Sequence, residues 1–178
     1  MARNFFLVLL LLVISLEISA QWHPDQIEII RDQWGVPHIY APTDAQVSYG
    51  LAWAHAEDDF GTIQTTLLAA KSMLGLHLGK DGAIADYVVG LLRTKEIVAE
   101  HLDEVSPDFL NIVKGYLAGL NAYAQHHPQE VFVKKSFPIT VQDVFQAYVL
   151  QLAVMDGADG VIGGLIKGNI DHGALIGI

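Results

Sequence analysis

The sequence predicts a mainly α-helical unit with a short N-terminal β-hairpin, and three observations carry that expectation. Alternation of apolar residues is confined to Ile27-Glu28-Ile29-Ile30-Arg31 and His38-Ile39-Tyr40, whereas later apolar residues recur at intervals of three and four, as helices facing a core require. The helical stretches are bounded by residues suited to start or stop a helix, among them Thr43, Ser106-Pro107, Pro128 and Thr140. No repeats, linkers or long charge runs interrupt the chain, so one unit is expected rather than several.

Met1 to Ala20 reads as a secretory signal. Arg3 supplies a positive start, Phe5 to Leu16 an apolar stretch too short to span a bilayer, and Ile18-Ser19-Ala20 a small-residue cleavage site. The fold is therefore assigned to residues 21–178. The strand at Ile27 to Arg31 is broken by Trp34-Gly35-Val36-Pro37 and resumed at His38 to Tyr40. Pro37 and Pro42 each lack an amide proton, which puts these strands at a sheet edge or end. A pair of strands is marginal by itself and needs further strands or a helix face.

After the predicted N-cap Thr43, residues Trp53, Ala56, Phe60, Ile63 and Leu67 share one helix face, and Gly75 and Gly79 close the region. A second helix is read from Ile84, Tyr87, Val88, Leu91 and Leu92, running on towards Leu102. The third starts sharply at Ser106-Pro107-Asp108 and carries the stripe Phe109, Ile112, Val113, Tyr116, Leu117, Leu120 and Tyr123. The fourth opens at Thr140 with Asp143 three residues on, a variant capping box, and is expected to bury Val144, Phe145, Tyr148, Leu152 and Met155. Beyond Asp156 the chain turns glycine-rich and apolar to Ile178, which reads as an interruption rather than a designed end.

The formal charge of −10 repels phosphate backbones, so nucleic acid is not an expected partner. The absence of cysteine excludes disulfides, thiolate metal sites and a cysteine nucleophile. Eight histidines offer no His-Glu-x-x-His pattern, and the adjacent pair His126-His127 is better placed to interact with the end of a helix than to hold a metal. Glu57-Asp58-Asp59 puts three carboxylates in one turn, able to hold a cation or orient a polar network, although a solvated face is the simpler reading. Of the mature chain's serines, Ser48, Ser72, Ser106 and Ser136, none lies in a Gly-x-Ser-x-Gly elbow. Gly115-x-x-x-Gly119 is expected to let another backbone come close on a soluble helix.

Three segments carry a resemblance. Arg31-Asp32 with Gly35-Val36-Pro37-His38-Ile39, the helix from Gly50-Leu51-Ala52 to Glu57-Asp58, and Gly115-Tyr116-Leu117-Ala118-Gly119-Leu120-Asn121-Ala122-Tyr123 resemble, in this order, the front of the penicillin acylase family. Asp58-Asp59, where many members have aspartate-arginine, is more similar to the acyl-homoserine-lactone and lipopeptide acylase branch. The resemblance implies the α-chain part of an αββα amino-terminal-nucleophile hydrolase sandwich, incomplete as given, paired with a β chain from the same precursor. Its activity is the hydrolysis of a linear amide between an acyl group and an amine, at an exported, periplasmic or secreted location. The nucleophile is a serine that opens the β chain and whose own amino group is the base. No Gly-Ser junction occurs here, so no catalytic residue is assigned and the chain alone is expected to be inactive. By position in the family the acyl-pocket wall falls to Leu152, Met155 and Asp156. A calcium ion shared with the β chain would take Asp159, and no organic cofactor is implied. The rival expectation is a non-catalytic secreted helical module that binds an apolar ligand or partner.

Overall fold

The computed structural model describes residues 23–158, 160, 163 and 164. Strands β1 (Glu28–Arg31) and β2 (Pro37–Tyr40) form an antiparallel hairpin with Ile29 opposite Ile39. Among the described residues six α-helices follow: α1 (Asp44–Ala70), α2 (Gly75–Leu78), α3 (Lys80–Leu91), α4 (Thr94–His101), α5 (Pro107–His126) and α6 (Val141–Met155). Mainly helical with an N-terminal hairpin is thus the observed architecture.

The hairpin finds its second layer in a helix face. Gly50 leaves α1 bare where Ile27, Ile29 and Ile39 settle; a Cβ there would lie 2.7 Å from the Ile39 side chain and 2.9 Å from that of Ile27. Thr43 caps α1 as expected, accepting the amide of Gln46. The face read from the sequence packs as predicted: Ala56, Phe60, Ile63 and Leu67 are buried, and partly buried Trp53 closes over the same cluster. Across from them stand Val113, Leu117, Leu120, Tyr123 and Ala124 of α5. Gly115 and Gly119 set the distance between these helices, because a Cβ on either would overlap the carbonyl of Ala45 or Tyr49. Ser106 accepts the amide of Phe109, and Asn121 of α5 clasps the backbone of Ile139 with bonds of 2.9 and 2.7 Å.

Two expectations fail in phase rather than in period. The predicted second helix is divided into α3 and α4 at Arg93, whose φ of 53° lies in the left-handed region. Its stripe of Ile84, Tyr87 and Leu91 faces outward. Asp86 is the cause, because its carboxylate accepts the amides of Leu74 and Gly75 at 2.8 and 2.9 Å. That turns Gly82 and Val89, a helical step to either side of Asp86, towards the interior.

Helix α6 is rotated for a similar reason. The capping box of Thr140 and Asp143 forms, but Asp143 also meets Lys71 Nζ at 2.9 Å, and Lys71 donates to the Ser136 carbonyl at the same distance. Drawing Asp143 inward buries Gln146 as well, leaves Val144 and Phe145 half-buried, and turns Tyr148, Leu152 and Met155 out. Those three residues are not core.

Candidate functional site

The end of α6 gathers the residues assigned to the acyl wall. Leu152 is 64% exposed and Met155 74%, both on the outward stripe begun by Tyr148. Asp156 is the C-cap: its amide donates to the Leu152 carbonyl at 3.0 Å, and Gly157, at φ 84°, turns the chain away. Asp156 is exposed beside them, so the structure brings the three residues together as an uncovered apolar edge with one carboxylate at its tip. Asp159 lies outside the described residues. Among the described residues no three histidine, aspartate or glutamate side chains gather to hold a metal ion.

A second group joins the hairpin to α1. Asp32 accepts the amides of Trp34 and Val36 at 2.8 and 3.0 Å, which fixes the turn around Gly35 (φ 82°) and holds its carboxyl below the usual range, with His38 at 3.4 Å adding to the effect. Arg31 reaches across to α1, donating to Glu57 at 3.1 Å and forming an ion pair with Asp58 at 2.9 Å. It also meets the carbonyls of Gly35 and Ala54. Bonds to Asp58 and then Glu57 raise the guanidinium pKa above its ordinary value. The indole of Trp53 donates to Glu57 at 3.0 Å.

Asp59 does something different from its two neighbours. Its backbone leaves the helical region (φ −156°, ψ 65°), kinking α1, and its carboxylate accepts the Thr62 amide at 3.0 Å. Bonds from the Thr62 side chain and amide hold its pKa down. The acidic run is therefore a bracket and a cap, and the cation it holds is Arg31. The network reading, rather than a merely solvated face, describes it.

The third feature is a cleft of about 470 Å³ between α1, α5 and α6. Ile63, Leu67, Ile112, Val113, Leu120 and Val144 contribute to its apolar lining. Within it His55 Nδ1 and the Tyr116 hydroxyl lie 2.9 Å apart. Burial, with Tyr148 close by, pushes the Tyr116 phenol up to about 12, so it keeps its proton at ordinary pH. In the sequence Tyr116 belongs to a packing stripe and both residues to segments of the family resemblance, with nothing to pair them. Their separation of 61 positions left no local signal to join them.

The histidine pair at the end of α5 behaves as the simpler reading held: His126 and His127 contact the carbonyls of Ala122 and Tyr123 at 2.8 and 3.1 Å. Ser106 is a cap, and the Ser136 hydroxyl donates to the Val133 carbonyl. Among the described residues no helix is long and apolar enough to cross a membrane.

Comparison with known proteins adds the lineage. Penicillin G acylase of Escherichia coli is 28% identical over 109 residues, which is 61% of this chain and 13% of that protein. The acyl-homoserine lactone acylase PvdQ of Pseudomonas savastanoi pv. phaseolicola is 26% identical over 112 residues, 58% of this chain and 14% of that one. The chain thus spans about an eighth to a seventh of the length of these curated relatives. The solved thermostable penicillin G acylase from Alcaligenes faecalis superposes with a TM-score of 0.61 at 24% identity, covering 71% of this chain and 72% of that chain, a likeness of fold. The family model described as penicillin amidase matches residues 26–155, a stretch that includes both the hairpin bracket and the α5 glycines. The chain belongs to the penicillin amidase family.

Proposed function

We propose that this chain is the α-chain-like portion of an exported amide hydrolase, working with a β chain of the same precursor on a linear amide between an acyl group and an amine. The observation that carries the reading is the outward apolar end of α6, where Leu152 and Met155 stand uncovered in a member of the family. Uncovered aliphatic side chains beside a single carboxylate suit the wall of an acyl site completed by another polypeptide.

In this reading the division of labour follows from chemistry. The β chain brings the serine, its terminal amine as base and the oxyanion donors, while this chain orients the acyl group and keeps water from it. The signal-like segment at residues 1–20 would direct export.

Two measurements test the proposal. The purified chain should turn over no chromogenic acyl amide, and rapid turnover would refute the assignment of the nucleophile to a partner. In a complete precursor, Met155→Trp should shorten the acyl chain accepted while maturation proceeds. Unchanged acyl preference would remove Met155 from the pocket.

A further inference from the structure

We propose that the outward face of α3 is a contact between two copies of this chain, paired antiparallel about a two-fold axis beside Tyr87. The inference does not depend on the role given to α6. Ile84, Tyr87 and Leu91 are all exposed, Tyr87 at 65%, and their spacing of three and four makes one apolar stripe along the helix. That stripe is held outward. On the opposite side Asp86 accepts the amides of Leu74 and Gly75, and a Cβ on Gly82 would overlap the Leu74 carbonyl, so α3 sits flush and cannot roll its stripe into the core. Leu76 and Leu78 of the adjoining α2 are also more than half exposed.

Charge selects a second copy as the occupant. A formal charge of −10 opposes self-association through most of the surface. Around this stripe the balance is reversed, because exposed Lys80, Arg93 and Lys95 outnumber exposed Asp81 and Glu96. The other outward apolar groups have acids at their margins: Asp156 lies beside Met155, and Glu28 and Asp32 flank Ile30, where Arg31 is already committed to Glu57 and Asp58. The order of residues along α3 also complements its own reverse. With two such helices antiparallel, Ile84 of one copy meets Leu91 of the other and Asp81 comes beside Arg93, and the symmetry makes each pairing twice. The helix dipoles then run in opposite directions, which favours the side-by-side arrangement. With 12 residues α3 is about 18 Å long, so the contact falls at the small end of specific interfaces and fits a Kd of about 10–100 µM.

Sedimentation velocity of the full chain from about 5 to 500 µM should show a reversible equilibrium between monomer and dimer. Leu91→Glu should weaken the dimer at least tenfold. Asp81→Arg should weaken it about fivefold, and adding Arg93→Asp to the same chain should restore it, since the pairing is then reversed on both sides of the axis. Because the native chain has no cysteine, Tyr87→Cys gives a single thiol beside the axis, and mild oxidation should link two copies through it. Leu152→Cys, on the outward end of α6, should not cross-link under the same conditions. A chain that stays monomeric over this range would overturn the proposal and leave the face to a different polypeptide. A dimer unaffected by Leu91→Glu, failure of the added Arg93→Asp to restore association in folded protein, or cross-linking at Leu152→Cys in place of Tyr87→Cys would each overturn it as well.

Discussion

Replacing Gly115 by alanine sets two effects of opposite sign against each other. In an isolated helix the change is favourable by about 1 kcal/mol, because glycine loses more backbone entropy and alanine is the best helix former. In this protein the added methyl would be driven into the carbonyl of Ala45, a backbone atom of α1 that cannot swing aside like a side chain end. Overpacking of this kind costs about 1–3 kcal/mol, or more where backbone must move. As the overlap is with backbone and α1 is pinned by the core on the same face, the net effect is a loss of about 1–2 kcal/mol, or about 2–8 °C in Tm for a chain of this size. Gly90→Ala is the internal control: a Cβ there meets nothing within 4 Å, so it should be neutral or gain up to about 1 kcal/mol. Urea denaturation of the two variants and the unaltered chain measures the difference. If Gly115→Ala stabilises as much as Gly90→Ala, the close crossing of α1 and α5 is refuted.

Lys71→Met leaves Asp143 largely buried with only its Thr140 contacts, and should cost about 3 kcal/mol in urea denaturation, whereas an equal change at exposed Lys80 should cost less than about 0.5 kcal/mol. Asp32→Asn tests the turn by pH. The folded carboxyl titrates lower than the unfolded one, so its charge contributes stability above the unfolded value, near about 4, that is lost as pH falls through the folded value. The stability gap between the native chain and Asp32→Asn, followed by thermal melts, should therefore be widest near neutrality and close in acid; a gap independent of pH would show that the charge of Asp32 has no part in holding the turn.

What could be read from sequence was whatever is decided within a few residues. The Thr43, Ser106 and Thr140 caps, the α1 and α5 stripes and the use of Gly115 and Gly119 all follow from local spacing and backbone sterics. Which way α3 and α6 turn their apolar residues did not follow, because polar anchors set it: Asp86 reaches back to the start of α2, and Asp143 is drawn to Lys71, 72 positions away. A stripe of Tyr148, Leu152 and Met155 has the same period whether it faces a core or solvent. The cleft was invisible for a related reason, since it requires three helices and a kink that no pattern marks.

The kink at Asp59 also changes the electrostatics of the longest helix. Because α1 is interrupted there, it carries two dipoles in series, and the acidic run straddles their junction. Asp59 lies at the positive start of the second segment, where a carboxylate is favoured. Glu57 and Asp58 lie at the negative end of the first, where carboxylates are opposed by the free carbonyls. Arg31 offsets this by contacting both side chains and the Ala54 carbonyl at 3.4 Å, serving as a cationic C-cap donated by the hairpin. Docking of the hairpin and interruption of the helix are thus coupled: a straight α1 would present Arg31 with two acids but no helix end to cap.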